Sequence, residues 1–180
     1  MSNILSHLEQ LRDSLPDYAK DIRLNLGTLV NADGAPDLSD EQRLGIFLAS
    51  AYATKNSVLI TALENDLSSV LSAEYINAAR AAAAIMAMNN VYYRFVHLSN
   101  DAEIKSLPAK LRMNIIGNPQ IAKVDFELMS LAVSAINGCG MCMEAHLHEV
   151  GKAGISKIGS QSAVRIAAVV NAFSHILVTK

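Results

Sequence analysis

The chain has 180 residues, of which 51% are hydrophobic and 18% charged, and its net charge at pH 7 is −2. This composition excludes a disordered or collagen-like protein, and the length suits one well-cored domain over residues 1–180. Basic and acidic side chains are interspersed, which argues against nucleic-acid binding because that function needs a basic patch or stripe. With no Trp, few prolines and many Ala, Leu and Met residues, the sequence predicts an all-α fold.

Apolar residues at helical spacing predict eight helices, and no run alternates like a strand. In chain order they cover residue 4 to a point before Pro16, then about residues 16–26, 39–53, 58–67, 72–96, 124–136, 139–152, and from Ser156 or Ser160 to 178. Tyr18 and Leu24 belong to the apolar residues of the second predicted helix. Ser39 followed by Gln42 is typical of a capping box at the start of the third. Residues 31–40 and 111–120 are predicted to be irregular, with a polar break at 99–106.

The two halves of the chain resemble each other weakly. Leu48-Ala49 recurs as Leu131-Ala132, and two further residue pairs recur at offsets that drift from 83 to 85. This pattern hints at a duplicated helical unit. Only the second copy contains cysteines.

No targeting or membrane segment is visible in the sequence. The N-terminus has no basic head followed by an apolar block, and the longest apolar stretch, residues 81–88, is far shorter than the about 20 residues needed to cross a bilayer. We therefore expect a cytoplasmic protein without a membrane span. Its thiols would be kept reduced, so both cysteines need an explanation.

The most informative motif is Cys139-x-x-Cys142 at a predicted helix start. Two thiols at this spacing can form a disulfide, and the helix N-terminus favours thiolate over thiol. Cys139, Cys142, His146 and Glu149 follow at i, i+3, i+7 and i+10, on one helix face. A His one turn after Cys142 can take its proton or hold it as an ion pair. The motif indicates thiol redox chemistry.

Two other interpretations of this motif remain open. One is structural, with buried thiols and a satisfied His. The other is a zinc site formed by Cys139, Cys142 and two His, although only three candidate ligands share the face. Covalent haem is excluded because Met143, and not His, follows the second Cys. From periodicity alone, Glu127 is best interpreted as a first-turn acid that complements a helix dipole, and the methionines as core fillers.

Four sequence blocks, at residues 16–26, 81–95, 111–119 and 126–146, resemble the alkyl hydroperoxide reductase D peroxidases of the carboxymuconolactone decarboxylase-like superfamily. They follow one another in the family's order along nearly the whole chain. The resemblance implies an all-helical, pseudo-duplicated fold that assembles as a homotrimer or a larger multiple such as a hexamer. It favours peroxide reduction over decarboxylation because the cysteines are paired.

The resemblance also implies a mechanism. Cys142 would be the peroxidatic thiolate that attacks an organic hydroperoxide, and Cys139 would resolve the sulfenic acid to a Cys139–Cys142 disulfide. Glu127 would be a general base and His146 a proton relay, which replaces the helix-dipole interpretation of Glu127. No cofactor would be bound. The implied external reductant is dihydrolipoamide, carried by a dihydrolipoyl-bearing protein and recharged by lipoamide dehydrogenase. A peroxiredoxin component of the alkyl hydroperoxide reductase system is a further implied partner.

One position departs from the family pattern. The best-known members have a His directly before the second Cys, where this chain has Met141. A thioether cannot carry a proton at neutral pH, so proton transfer would depend on His146 and water. The resemblance therefore implies an antioxidant thiol peroxidase with an intact redox dithiol, and the missing relay His leaves its peroxidase efficiency open. The alternatives are a dithiol–disulfide electron carrier with little peroxidase activity and a zinc-bearing or structural helical module.

Overall fold

A computed structural model describes residues 4–179 of the chain, and all regular secondary structure in this range is helical. The predicted all-α fold class is confirmed. The α-helices in chain order are α1 (Ser6–Asp13), α2 (Lys20–Leu29), α3 (Asp40–Thr54), α4 (Ser57–Leu67), α5 (Ala73–Leu98), α6 (Ala102–Ser106), α7 (Asn114–Gly117), α8 (Lys123–Ile136), α9 (Gly140–Lys152) and α10 (Lys157–Thr179). Two short 3₁₀ turns lie at Asp17–Ala19 and Ala32–Gly34.

Helices α3 and α8 form the centre of the molecule. They pack against each other, and α5 and α10 pack against both. Residues 43–51 of α3 and 125–134 of α8 are buried without interruption, so these two helices have no solvent face in their central turns. A charged side chain on a helix that is buried all round is costly unless a partner compensates its charge. This requirement determines the environment of any acidic residue on α8.

The predicted helix starts at Ser39 and Ser156 are confirmed. The Ser39 hydroxyl accepts from the Gln42 amide at 3.1 Å, while the Gln42 side chain accepts from the Ser39 amide at 3.0 Å, which completes the capping box. Helix α10 begins directly after Ser156, whose hydroxyl accepts from the Gly159 amide at 3.0 Å. Ser160 therefore lies inside α10 and does not open it.

Two local predictions are wrong, and a third holds except for one helical turn. Pro16 does not lie in the first turn of the second helix; it precedes a 3₁₀ turn, and Tyr18 and Leu24 are 72% and 57% exposed rather than packed. The polar break contains α6, because the Asp101 carboxylate accepts from two backbone amides and caps it. The stretch 111–120 is irregular except for the single turn α7.

The helix order repeats with a nearly constant offset. Helices α3, α4 and α5 start at residues 40, 57 and 73, and α8, α9 and α10 at 123, 140 and 157, so the starts differ by 83, 83 and 84. The pseudo-duplication itself stays a prediction. The single domain over residues 1–180 also stays a prediction, and its end positions lie outside the described range. Within that range, the buried apolar side chains form one cluster.

Helix α10 is long and apolar enough, by length and composition, to span a bilayer. Length and composition are weak criteria here, because a core helix of a soluble protein also meets them. The packing of α10 is that of a core helix. It contacts α2, α3 and α8, and its Ile166, Val170 and Phe173 side chains are buried.

Candidate active site

Cys139 and Cys142 lie at the start of α9, with their sulfur atoms within disulfide-bonding distance. Helix α8 ends at Ile136, and two residues later Gly138, with a φ of 69°, lets the Cys139 amide donate to the Ser134 carbonyl at 3.1 Å. Glycine adopts this left-handed conformation without strain. Cys139 then caps α9, and its Sγ accepts from the Cys142 amide at 3.3 Å. The Asn-Gly-Cys sequence thus places both sulfurs at the partially positive end of a helix, where thiolates are stabilised.

The two cysteines differ in their access to solvent. Cys142 lines a cavity of about 210 Å³, whereas Cys139 is fully buried and lies outside its lining. The cavity walls are largely apolar and include the thioethers of Met113 and Met141. Cys142 is therefore the sulfur that a small apolar molecule in this cavity reaches.

Glu127 and His146 form a buried pair on the adjacent wall. Glu127 is the fifth residue of α8, and its Oε2 lies 2.6 Å from His146 Nδ1. The two side chains are 5% and 10% exposed. The interpretation of Glu127 as a first-turn acid is wrong: a carboxylate at this depth needs a partner, and α9 supplies His146 from 19 residues along the chain.

The second ring nitrogen of His146 faces α5. His146 Nε2 lies 3.2 Å from the Met86 Sδ, and Met86 is 1% exposed. Among the described residues, no hydrogen bond joins His146 to Cys142, although both line the same cavity. Met86 is thus the nearest polarisable neighbour of Nε2 that the structure shows.

Asn89 lies one helical turn from Met86 and also lines the cavity. Its backbone carbonyl is 4.0 Å from the Cys142 Sγ. Its Oδ1 is buried and has no hydrogen-bond partner in the described part of the chain. Such a group is costly to bury, so this amide oxygen is available to a donor that enters the cavity.

A polar network holds the cysteine turn against α5. Asn90 Nδ2 donates to the Ser134 hydroxyl at 2.9 Å, and Asn137 Nδ2 donates to Asn90 Oδ1 at 2.9 Å. Arg94 adds a hydrogen bond to the Asn137 carbonyl at 2.7 Å. Because Asn137 is two residues before Cys139, this network fixes the position of the turn relative to the cavity wall.

Glu149 does not join the cavity. It lies on the surface of α9, where Lys152 and Lys123 approach its carboxylate at 3.1 and 3.5 Å, and these two cations hold its pKa below the usual range. The His148 side chain is exposed. Between residues 4 and 179, no group of three or more His, Cys, Asp or Glu side chains is placed to hold a metal ion. The four ligands that the zinc alternative requires are thus not assembled among them.

Comparison with known proteins identifies the family. A family model described as the carboxymuconolactone decarboxylase family matches residues 102–178. Alkyl hydroperoxide reductase AhpD of Hyphomonas neptunium is 54% identical over 170 residues, which cover 94% of this chain and 93% of the relative. AhpD proteins of Coxiella burnetii and Maricaulis maris are 52% and 51% identical, each over 94% of this chain and 96% of their own length. This chain belongs to the AhpD family.

Family membership confirms the resemblance found in the four sequence blocks. Sequence reasoning missed Met86, which it treated as a core filler, and did not single out Asn89. The available signal was two adjacent asparagines, Asn89 and Asn90, within the long apolar stretch of α5. Polar residues on a buried helix face indicate a polar site nearby.

Proposed function

We propose that this AhpD-family protein is an antioxidant thiol peroxidase that reduces organic hydroperoxides to alcohols through Cys139 and Cys142. The observation that carries the proposal is the asymmetry of the two sulfurs. Cys142 faces an apolar cavity beside the Glu127–His146 pair, and Cys139 lies behind it. The membership of the chain in a family whose relatives are named alkyl hydroperoxide reductase supports an oxidoreductase.

The proposed oxidation uses both sulfurs in turn. The Cys142 thiolate attacks the distal oxygen of the hydroperoxide, the O–O bond breaks, and the alkoxide takes a proton to leave as the alcohol. Cys142 is then a sulfenic acid. The Cys139 thiol attacks that sulfur, water leaves, and the disulfide forms. The positions of the two residues support this second step, because Cys139 is the N-cap of α9 and Cys142 lies in the first turn of the same helix.

In this proposal Glu127 is the general base and His146 the proton relay for Cys142. Their 2.6 Å contact orients the imidazole, and His146 lines the same cavity as Cys142. Met141 lines the same cavity and is 40% exposed, so it replaces a relay His at the point where solvent enters. Because general acid–base assistance is worth about 10²–10⁴-fold, we expect Met141→His to raise the peroxidase rate. Met113→His, on another part of the wall, is the matched control.

We propose a dihydrolipoyl group, recharged by lipoamide dehydrogenase, as the reductant. Of the disulfide, only Cys142 lines the cavity of about 210 Å³, and only about 6% of this residue is exposed. A long, thin dithiol arm can enter this cavity more readily than a thiol fixed on a protein surface. The cycle needs no bound cofactor.

A homotrimer or hexamer is proposed for the assembly, in the cytoplasm. The exposed apolar side chains of α5 support it, because Val91, Phe95 and Leu98 are 61%, 55% and 70% exposed on one helix. Contiguous exposed apolar residues are typical of protein interfaces. The oligomeric state can be measured by light scattering.

A second candidate function is a dithiol–disulfide electron carrier to a peroxiredoxin. Met141 in the relay position favours it, since the exchange of electrons between thiols requires less acid–base assistance than the cleavage of a peroxide. The two functions differ in whether peroxide alone oxidises the reduced protein.

The test is stopped-flow mixing of the reduced protein with cumene hydroperoxide, with free thiols counted by mass spectrometry. The peroxidase proposal expects both thiols to be lost as an internal disulfide. It also expects Cys142→Ser to abolish peroxide consumption and Cys139→Ser to stop at sulfenic acid. Thiols that stay reduced with peroxide but exchange with lipoamide would establish the carrier instead. Inertness towards both reagents would refute both functions.

A further inference from the structure

We infer that Met86 is a positioning residue for the proton of His146: its thioether keeps a hydrogen on Nε2 while the cysteines are oxidised. The inference deepens the proposed function, on which its meaning for catalysis rests. It depends on one geometric fact, the 3.2 Å contact between Met86 Sδ and His146 Nε2.

The proton positions follow from what each neighbour can donate. A thioether sulfur accepts a weak hydrogen bond and donates none. If Nε2 were bare, its lone pair would face the lone pairs of the Met86 sulfur at 3.2 Å, which is unfavourable because two acceptors would meet without a hydrogen between them. Nε2 therefore carries a hydrogen that points at the sulfur.

The other nitrogen fixes the total number of protons. His146 Nδ1 and Glu127 Oε2 are 2.6 Å apart, so one proton lies between them on either atom. Together with the hydrogen on Nε2, the Glu127–His146 pair holds two protons. Without Met86, the ordinary arrangement of a carboxylate and a neutral histidine would hold one, on Nδ1.

The position of the sulfur is itself held in place. Asn90, one turn further along α5, directs its Nδ2 at Met86 Sδ at 3.9 Å. The Asn90 side chain is in turn tied to Ser134 and Asn137, next to the cysteine turn. The Met113 sulfur, which also lines the cavity, has a different neighbour: the Tyr93 hydroxyl lies 3.9 Å from it. Met86 is thus the thioether that the fold assigns to His146.

The stored proton has a defined use in the proposed cycle. When Cys142 thiolate attacks the hydroperoxide, the O–O bond breaks and the alkoxide needs one proton, which Nε2–H supplies. Condensation of the Cys139 thiol with the Cys142 sulfenic acid releases water and leaves the pair with one proton. Solvent replaces the second proton, and Met86 holds it. Reduction by a dithiol returns a thiolate on Cys142 and a thiol on Cys139 and releases one proton, so the protons balance over the cycle.

The experiment is long-range ¹H–¹⁵N NMR of the oxidised protein with ¹⁵N-labelled histidine, with His146 assigned by its loss in His146→Gln. We expect Nε2 of His146 to resonate as a protonated nitrogen. In Met86→Leu, which keeps the volume but removes the acceptor, we expect the ratio of protonated to unprotonated Nε2 to fall about fivefold, as the loss of one weak hydrogen bond implies.

Met113→Leu is the matched control, because it removes a thioether from the same cavity without touching His146. A bare Nε2 in the unmutated protein, or an equal loss in Met113→Leu, would overturn the inference. The measurement uses the oxidised protein without peroxide. A protonated Nε2 in a protein that does not consume peroxide would therefore refute the proposed function and leave the proton assignment intact.

Discussion

Replacement of Glu127 by Gln tests the buried pair most directly. Glu127 and His146 are 5% and 10% exposed and 2.6 Å apart, so the substitution removes a charge from a site that water hardly reaches. Gln has nearly the same shape and keeps an oxygen that can accept from His146 Nδ1. It cannot serve as a base.

The structure sets two different magnitudes for this change. For stability, the acceptor oxygen is retained and His146 can become neutral, so the free energy of unfolding should fall by only about 1 kcal/mol. For activity, loss of the general base should slow thiol oxidation by about 10²–10⁴-fold. Glu127→Leu would instead leave the His146 Nδ1 hydrogen without an acceptor and should cost a further 1–3 kcal/mol or so of stability.

The assay is the rate of thiol loss after stopped-flow mixing of reduced protein with cumene hydroperoxide, together with urea unfolding of each variant. Glu149→Gln is the matched control: it lies on the same helix as His146 but contacts only surface lysines, and its rate should match that of the unmutated protein. A Glu127→Gln variant within threefold of the normal rate would refute the assignment of Glu127 as base.

Three further predictions concern the fold. Asp66→Asn removes one of the two carboxylate oxygens that accept from the first backbone amides of α1. Urea unfolding should show a loss of about 1–3 kcal/mol in the free energy of unfolding, and hydrogen exchange should become faster only in α1. An unchanged exchange rate in α1 would contradict this prediction. Gly45→Ala places a methyl group 2.5 Å from two buried side chains and should lower the free energy of unfolding by about 1–3 kcal/mol. In Gly151→Ala the added methyl group meets nothing within 4 Å, so this variant should gain about 0.5–1 kcal/mol in the same assay. The Arg80 guanidinium holds the pKa of Glu64 below its usual range, so this pair stabilises the protein above a pH of about 4.3 and loses its effect as the pH falls through the lowered pKa. Glu64→Gln should therefore cost at most about 1 kcal/mol at pH 7, because the pair is partly exposed, and nothing near pH 2; an equal deficit at both pH values would exclude the charge as its cause.

The long helices and their starts follow from local sequence signals. The Ser39–Gln42 capping box, the Asn137-Gly138 helix end and the Ala-rich α5 each depend on residues within a few positions of one another. The errors have a physical reason too. Tyr18 and Leu24 fit a helical apolar pattern, but exposure is decided by what packs against α2, and nothing local records that.

The sequence by itself determined the redox motif and the family. Cys139, Cys142 and His146 lie within three turns of one helix, so their spacing alone brings the chemical groups to one region. Only the tertiary structure decided what surrounds them. Glu127 meets His146 because α8 packs against α9, and Met86 meets it from 60 residues away because α5 closes the other side. These contacts arise from the packing of whole helices, whose relative positions depend on every buried side chain in the core, and no short stretch of sequence encodes them.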